Sequence, residues 1–262
     1  MNPNTAPTSP IVLIAWGVYL ETIRRKDFYV LAILVGIFAL GVTVARFVGI
    51  ENAATATFLL NLGITFAFLS ATILTLLTSA RQVPDELDSR TIHPLLAKPI
   101  TRFEYLAGKW LACTGVGVVS MLALFLVAYL PVPKKDDFDT LLLLQALLLK
   151  ALSLGMLAAL TILTSLMAPK PVTVVLLALL YTVGTTAGNF LKANVLGGPL
   201  EQPVGWLVRY IPNFDLLDLT KRFTDGAVAV NGPTFAGLIL YALIFTGVAL
   251  LAACAIFDRK PL

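Results

Sequence analysis

The chain has 262 residues, of which 58% are hydrophobic and only 13% charged, with a mean hydropathy of +0.88 and a net charge of +4. Soluble domains carry about 25% charged residues, so a water-soluble enzyme and any sizeable soluble domain are excluded. The composition is that of an all-α, polytopic membrane protein, and a basic excess in such a protein reports orientation across the bilayer, not a nucleic-acid partner.

Residues 1–9 form a short polar tail, read as disordered. Ser9-Pro10 is a helix start, a capping hydroxyl followed by proline at the first helical position. Over residues 10–26 the apolar stripe Val12, Trp16, Leu20 and Ile23 faces away from Glu21, Arg24 and Arg25. That amphipathic pattern predicts a helix lying in the membrane interface; the first half of a tilted span is the other reading. The basic cluster follows the apolar run, the reverse of a cleaved signal peptide. A first span is predicted over 28–48, with Arg46 at its far end able to snorkel outward. A second is predicted over 58–79. Its polar residues, Asn61, Thr65, Ser70, Thr72 and Thr75, can bond between helices or line a path.

Residues 81–109 then break the apolar pattern with Arg81, Asp85, Glu86, Asp88, Arg90, Lys98, Arg102, Glu104 and Lys109. A central Arg or Asp costs about 2.5–3.5 kcal/mol in a span, so this segment sits in water between two spans. Thr91 can cap a short helix with an apolar face of Ile92, Leu95 and Leu96, with Pro94 in its first turn. Pro99 ends it. Thr101-Arg102-Phe103-Glu104 fits a capping box that opens the next helix. An apolar face rimmed by charge marks a partner site; the plainer reading is a solvated connector.

A third span is predicted over 106–130, followed by the polar turn 131–139. Residues 141–167 exceed one span and contain Lys150. Either the span starts near Ala151, with Lys150 snorkelling, or Lys150 faces the bundle interior as a functional group. Ala168-Pro169-Lys170-Pro171 is a tight break. The fifth span, 172–191, contains Gly184-x-x-x-Gly188, a spacing for close backbone approach within the chain or in a dimer. Residues 192–233 are too long for an unstructured loop; residues 201–211 read as a short amphipathic helix. A sixth span is predicted over 234–257. Counting the basic residues that flank the spans places both termini in the cytoplasm. The two cysteines, Cys113 and Cys254, lie in separate apolar runs and read as packing residues.

Glu86-Leu-Asp-Ser-Arg90-Thr91, Leu95-Leu96-Ala-Lys98-Pro99, then Arg102, Glu104, Gly108 and Lys109 resemble the cytoplasmic loop of ABC-2 type transporter permeases. The branch most resembled contains permeases linked to copper-enzyme maturation and gliding motility. Pro94 stands where that family more usually has another residue. Pro212-Asn213-Phe214 resembles a motif before the last span of that branch, expected to pack on the outer mouth. The resemblance implies one transmembrane domain over 10–262 with six transmembrane helices, an elbow helix at 10–26 and a coupling loop at 81–105. It implies that Glu86, Arg90, Thr91, Ile92, Leu95, Leu96, Lys98, Pro99, Arg102 and Glu104 couple to a separate ABC ATPase subunit. It further implies a second permease copy, identical or not, in a bacterial or archaeal cytoplasmic membrane, and export as the direction.

No G-x-x-x-x-G-K-[ST], H-E-x-x-H or G-x-S-x-G occurs, so no cofactor or metal is expected in the chain itself, and ATP and Mg would be bound by the partner. His93 is the only histidine and reads as a solvated loop residue. The competing readings are an ion-coupled secondary transporter, which would want carboxylates inside its spans, a membrane enzyme, which would want a catalytic constellation, and a non-transporting membrane anchor.

Overall fold

The computed structural model describes residues 53–88, 101–129, 140–192, 212–220, 222 and 229–259, with scattered positions between 12 and 44. Among these residues all regular structure is helical. The helices are α1 (Ala53–Asp88), α2 (Arg102–Tyr129), α3 (Thr140–Ser165), α4 (Lys170–Lys192) and α5 (Gly232–Arg259), with a single 3₁₀ turn at Asp215–Leu217. Four of them contain windows long and apolar enough to cross a membrane, Asn61–Glu86, Arg102–Val127, Thr140–Ser165 and Gly232–Arg259; Lys170–Thr186 is a shorter apolar stretch. Described positions between 33 and 44 are also helical. The rest of the predicted first span lies outside the described residues, and so does most of the predicted interfacial helix. Of the latter, Ala15 and Val18 are buried together with Ala112 of α2.

Helix α3 is the axis of the bundle. Its small residues Ser153, Gly155, Ala158 and Ala159 are buried, and small side chains let neighbouring helix backbones close in where lipid supplies no hydrophobic drive. Trp110 of α2 uses one such gap: its indole Nε1–H donates to the Gly155 carbonyl at 2.8 Å, and a β-carbon on Gly155 would touch the ring at 3.4 Å. Helix α5, by contrast, shows an exposed aliphatic stripe at Leu240, Leu243, Ile244, Val248 and Leu251. At helical spacing on an apolar helix, that is a surface suited to lipid or to another helix.

Two buried clusters sit at opposite ends of the bundle. One joins Phe68, Met121, Leu124, Leu142, Leu149, Phe214 and Leu217. The other, at the end where α1 leaves for the charged loop and α2 returns from it, joins Val83, Tyr105, Leu106, Ile162, Leu166, Ala253 and Phe257. Most hydroxyls of α1 turn back on their own helix. Thr65, Ser70 and Thr72 donate to the carbonyls of Asn61, Ala67 and Phe68 at 2.8, 3.0 and 2.7 Å, a local bond that satisfies the hydroxyl without a partner helix.

Helix α1 does not stop at Ser79, where apolarity falls, but runs on to Asp88 with Pro84 inside it. A proline within a helix removes one backbone bond. The extension persists because its polar side chains find partners on other helices, as described next. In α3 the helix is continuous through Lys150, and the lysine is buried. Of the two readings of residues 141–167, the inward-facing one describes the structure.

Candidate functional site at the base of the charged loop

The Thr101–Glu104 pattern forms the reciprocal bonds of a capping box. Thr101 N–H donates to Glu104 Oε2 at 2.8 Å, and Glu104 N–H donates to Thr101 Oγ1 at 3.2 Å. Two donors that the first turn cannot satisfy internally are thereby paired, and α2 starts at a defined angle. Over its first two turns α2 presents Arg102, Tyr105 and Lys109 to its neighbours.

Lys109 is 2% exposed. Its ammonium donates to Glu86 Oε1 and, at 3.0 Å, to Gln82 Oε1, both on the extension of α1. Tyr105 donates its hydroxyl to the other oxygen of Glu86. The carboxylate thus bridges two residues one turn apart on α2, and the buried ammonium is both paired and hydrogen-bonded, the condition under which a charge tolerates burial. Arg102 reaches across to the end of α5. Its Nη1 donates to the Phe257 carbonyl at 2.8 Å, its Nε lies 3.5 Å from Asp258 Oδ1, and the guanidinium sits 5.5 Å from the Phe257 ring centroid. A cation on a last-turn carbonyl satisfies a group the helix leaves open and opposes the negative end of its dipole. Tyr105 stacks on Phe257 with centroids 5.8 Å apart. Finally Lys170, the first residue of α4, pairs with Asp85 of α1 at 2.7 Å.

The strands of chain that leave and re-enter the bundle at the charged segment are therefore bolted to each other and to the ends of α4 and α5. Glu86, Arg102 and Glu104, singled out from sequence, all belong to this network. Arg90, Thr91, Ile92, Leu95, Leu96, Lys98 and Pro99, and with them the predicted short helix, lie outside the described residues, as does His93. Gln82, Asp85, Tyr105 and Lys170 are members to which the reading of sequence gave no site role, and Lys109 entered it only as part of the resembled motif. A signal for them was present: Gln82 and Glu86 on one side of the loop, and Tyr105 and Lys109 on the other, are each four residues apart and so share a helix face.

Gly184 stands elsewhere, on α4. The atoms nearest to a β-carbon placed there are the Pro212 carbonyl oxygen at 2.6 Å and Phe214 Cδ2 at 2.9 Å, so the close approach is by an incoming chain segment. Gly188 lies one turn further along α4. The Pro212-Asn213-Phe214 segment packs into the helices. Phe214 is 1% exposed and packs on Tyr181 with centroids 5.0 Å apart. Asn213 N–H donates to Tyr241 Oη at 2.8 Å, while Asn213 Oδ1 accepts from Asp215 N–H at 3.0 Å, a side-chain turn that starts the 3₁₀ turn. Gln145 of α3 fastens the entry to α5 with two bonds to the backbone of Val230, at 3.0 and 2.8 Å. Among the described residues no three His, Cys, Asp or Glu side chains are grouped to hold a metal ion.

Compared with known proteins, residues 11–262 match the family model described as ABC-2 family transporter protein. No curated protein matches the chain.

Proposed function

The chain belongs to the ABC-2 transporter family, and from that premise we propose that it is the membrane-spanning permease subunit of an exporter powered by a separate ATPase. The nucleotide and its magnesium ion are handled by that partner. The segment between α1 and α2 is the docking element, with Ile92, Leu95 and Leu96 as its apolar face and Arg90 and Lys98 as its charged rim. Two copies of the chain, or one copy and a sister subunit, enclose the path through a cytoplasmic membrane, with both termini on the ATPase side.

The observation that supports this reading is the network at the base of the loop. A force applied to residues 89–100 enters α1 through Glu86 and α2 through Lys109 and Tyr105. It reaches α5 through Arg102 and α4 through the Asp85–Lys170 pair. A loop that only connected two spans would not need four helix ends tied beneath it. Rigid ties convert a small displacement at a docking site into movement of packed helices, because packed interfaces shift between discrete arrangements and do not deform continuously.

The test is copurification. The tagged chain is isolated gently from native membranes beside the variant Leu95→Asp/Leu96→Asp, with insertion and protein level matched. An ATPase that accompanies the parent and is lost from the variant supports the reading. An ATPase retained in full by the variant, or none with the parent, ends it and brings the ion-coupled and anchoring readings forward.

A further inference from the structure

Two lysines are buried among the described residues, and their surroundings differ. Lys109 is held by a carboxylate and an amide carried on a helix. Lys150, 2% exposed, lies ten residues into α3, about 15 Å of helix from Thr140. Its ammonium makes one hydrogen bond among the described residues, to Tyr181 Oη at 2.9 Å. Its charge partner, Asp218 Oδ2, is 3.7 Å away, beyond hydrogen-bond reach. An ammonium has three protons to place, and an under-bonded one in a membrane span marks function by default.

The source of the counter-charge is also unusual. Asp218 comes from the non-helical chain just after the 3₁₀ turn, and its side chain is 30% exposed. Its other oxygen, Oδ1, is committed to Thr220 N–H at 2.9 Å. Around the ammonium stand the faces of Phe68 and Tyr181, at 5.0 and 5.6 Å from their centroids. Such faces support a cation when its carboxylate is elsewhere. Tyr181 Oη accepts from Lys150 at 2.9 Å and, weakly, from Thr72 Oγ1 at 3.5 Å, and its own O–H is left as a donor. The core around it is apolar.

We propose that Lys150 and Tyr181 form a receiving site for the anionic head group, carboxylate or phosphate, of an amphiphile, and that Asp218 holds the place of that group in this structure. The ammonium supplies the charge, the tyrosine a second donor, and the apolar core a seat for the ligand's body. Displacing Asp218 by the ligand's own anion leaves no bare buried cation. That the amphiphile is cargo rests on the permease reading; that it binds does not.

Binding is measured on the purified full chain in a neutral maltoside detergent, by the rise in melting temperature on titrating decyl phosphate, decanoate or palmitoyl-oleoyl phosphatidylglycerol, with decanol and phosphatidylcholine as uncharged and zwitterionic controls. A saturable rise with the anionic members, absent with the controls, is expected. Lys150→Met abolishes it, and Arg259→Gln, on the exposed end of α5, retains it. Asp218→Asn removes the competitor and tightens the apparent affinity about fivefold, the worth of a partly exposed ion pair. A response to the single-chain anions points to a free amphiphile, and a response confined to phosphatidylglycerol points to a bilayer lipid; either supports the site. No response to any anion, or one unchanged in Lys150→Met, overturns it. If Lys150→Met does not fold, Asp218→Asn decides, since unaltered affinity there is also fatal. The chain is tested without an ATPase, so failure here leaves the permease reading standing, and failure of copurification leaves this one.

Discussion

Lys109 of α2 and Glu86 of α1 meet beneath the charged loop with the lysine side chain 3% and the glutamate 19% exposed. Removing Glu86 leaves the buried Lys109 ammonium without its counter-charge, and removing Lys109 takes the cation from a partly buried carboxylate; breaking such a pair costs about 3–5 kcal/mol. Glu86→Gln and Lys109→Met are therefore each expected to lower the melting temperature of the detergent-solubilised chain by several degrees. The double variant Glu86→Gln/Lys109→Met should recover much of that loss, because it leaves no lone charge. Thermal unfolding of all three checks this, and an additive double variant would show that the two side chains do not interact.

Gly117 and Thr75 give a second test. A β-carbon on Gly117 would collide with Thr75 Oγ1, a buried hydroxyl with no hydrogen-bond partner among the described residues. Gly117→Ala is expected to destabilise by about 1–3 kcal/mol through overpacking. Thr75→Ala should be neutral or stabilising, since it removes a buried polar atom that gains nothing from folding. In the double variant the new methyl finds the space the hydroxyl has left, and most of the stability returns. A double-mutant cycle by thermal denaturation measures the coupling directly.

At Gly184 any side chain meets the Pro212 carbonyl, which is backbone and cannot step aside alone. Gly184→Val is expected to expel the 212–217 segment while leaving the five long helices packed. The readout is a thiol at position 217, where Leu217 is fully buried. Leu217→Cys in a Cys113→Ala/Cys254→Ala background should resist a soluble maleimide, and adding Gly184→Val should speed labelling at least tenfold. Equal rates would mean that the notch does not seat the segment.

The cap of α2 is open to a smaller test. Thr101→Ala removes a bond to the Glu104 N–H and is expected to cost about 1 kcal/mol. Thr101→Ser should recover nearly all of it, because the hydroxyl is the working group. If alanine and serine give the same melting temperature, the cap contributes nothing.

The cap shows what kind of feature sequence makes legible. It lies within four residues, and its geometry follows from residue type and spacing alone. The four spans seen among the described residues were equally readable, because each must satisfy its own backbone and therefore carries a continuous signature. Other features depend on partners distant in the chain. Gln145 and Val230 are 85 positions apart, and Arg102 and Phe257 are 155. Nothing near Lys150 marks it as facing inward, since snorkelling and burial give the same local pattern until Tyr181 and Asp218 are placed beside it. The extension of α1 through Pro84 was hidden for the same reason: the proline argues locally for a break, and Glu86 and Asp85 prevail only through Lys109 and Lys170. Gly184 was visible as a point of close approach, but the object approaching it was not.

The bond from Arg102 to the Phe257 carbonyl also bears on how the protein is made. Synthesis runs from the N-terminus, so α1 and α2 leave the ribosome long before residue 257 exists. Until α5 is inserted, Arg102 has no carbonyl to grip and Tyr105 no ring to stack upon. The tie closes only once α5 is in place. A chain arrested before α5 therefore carries a loop base whose tie to Phe257 is still unmade.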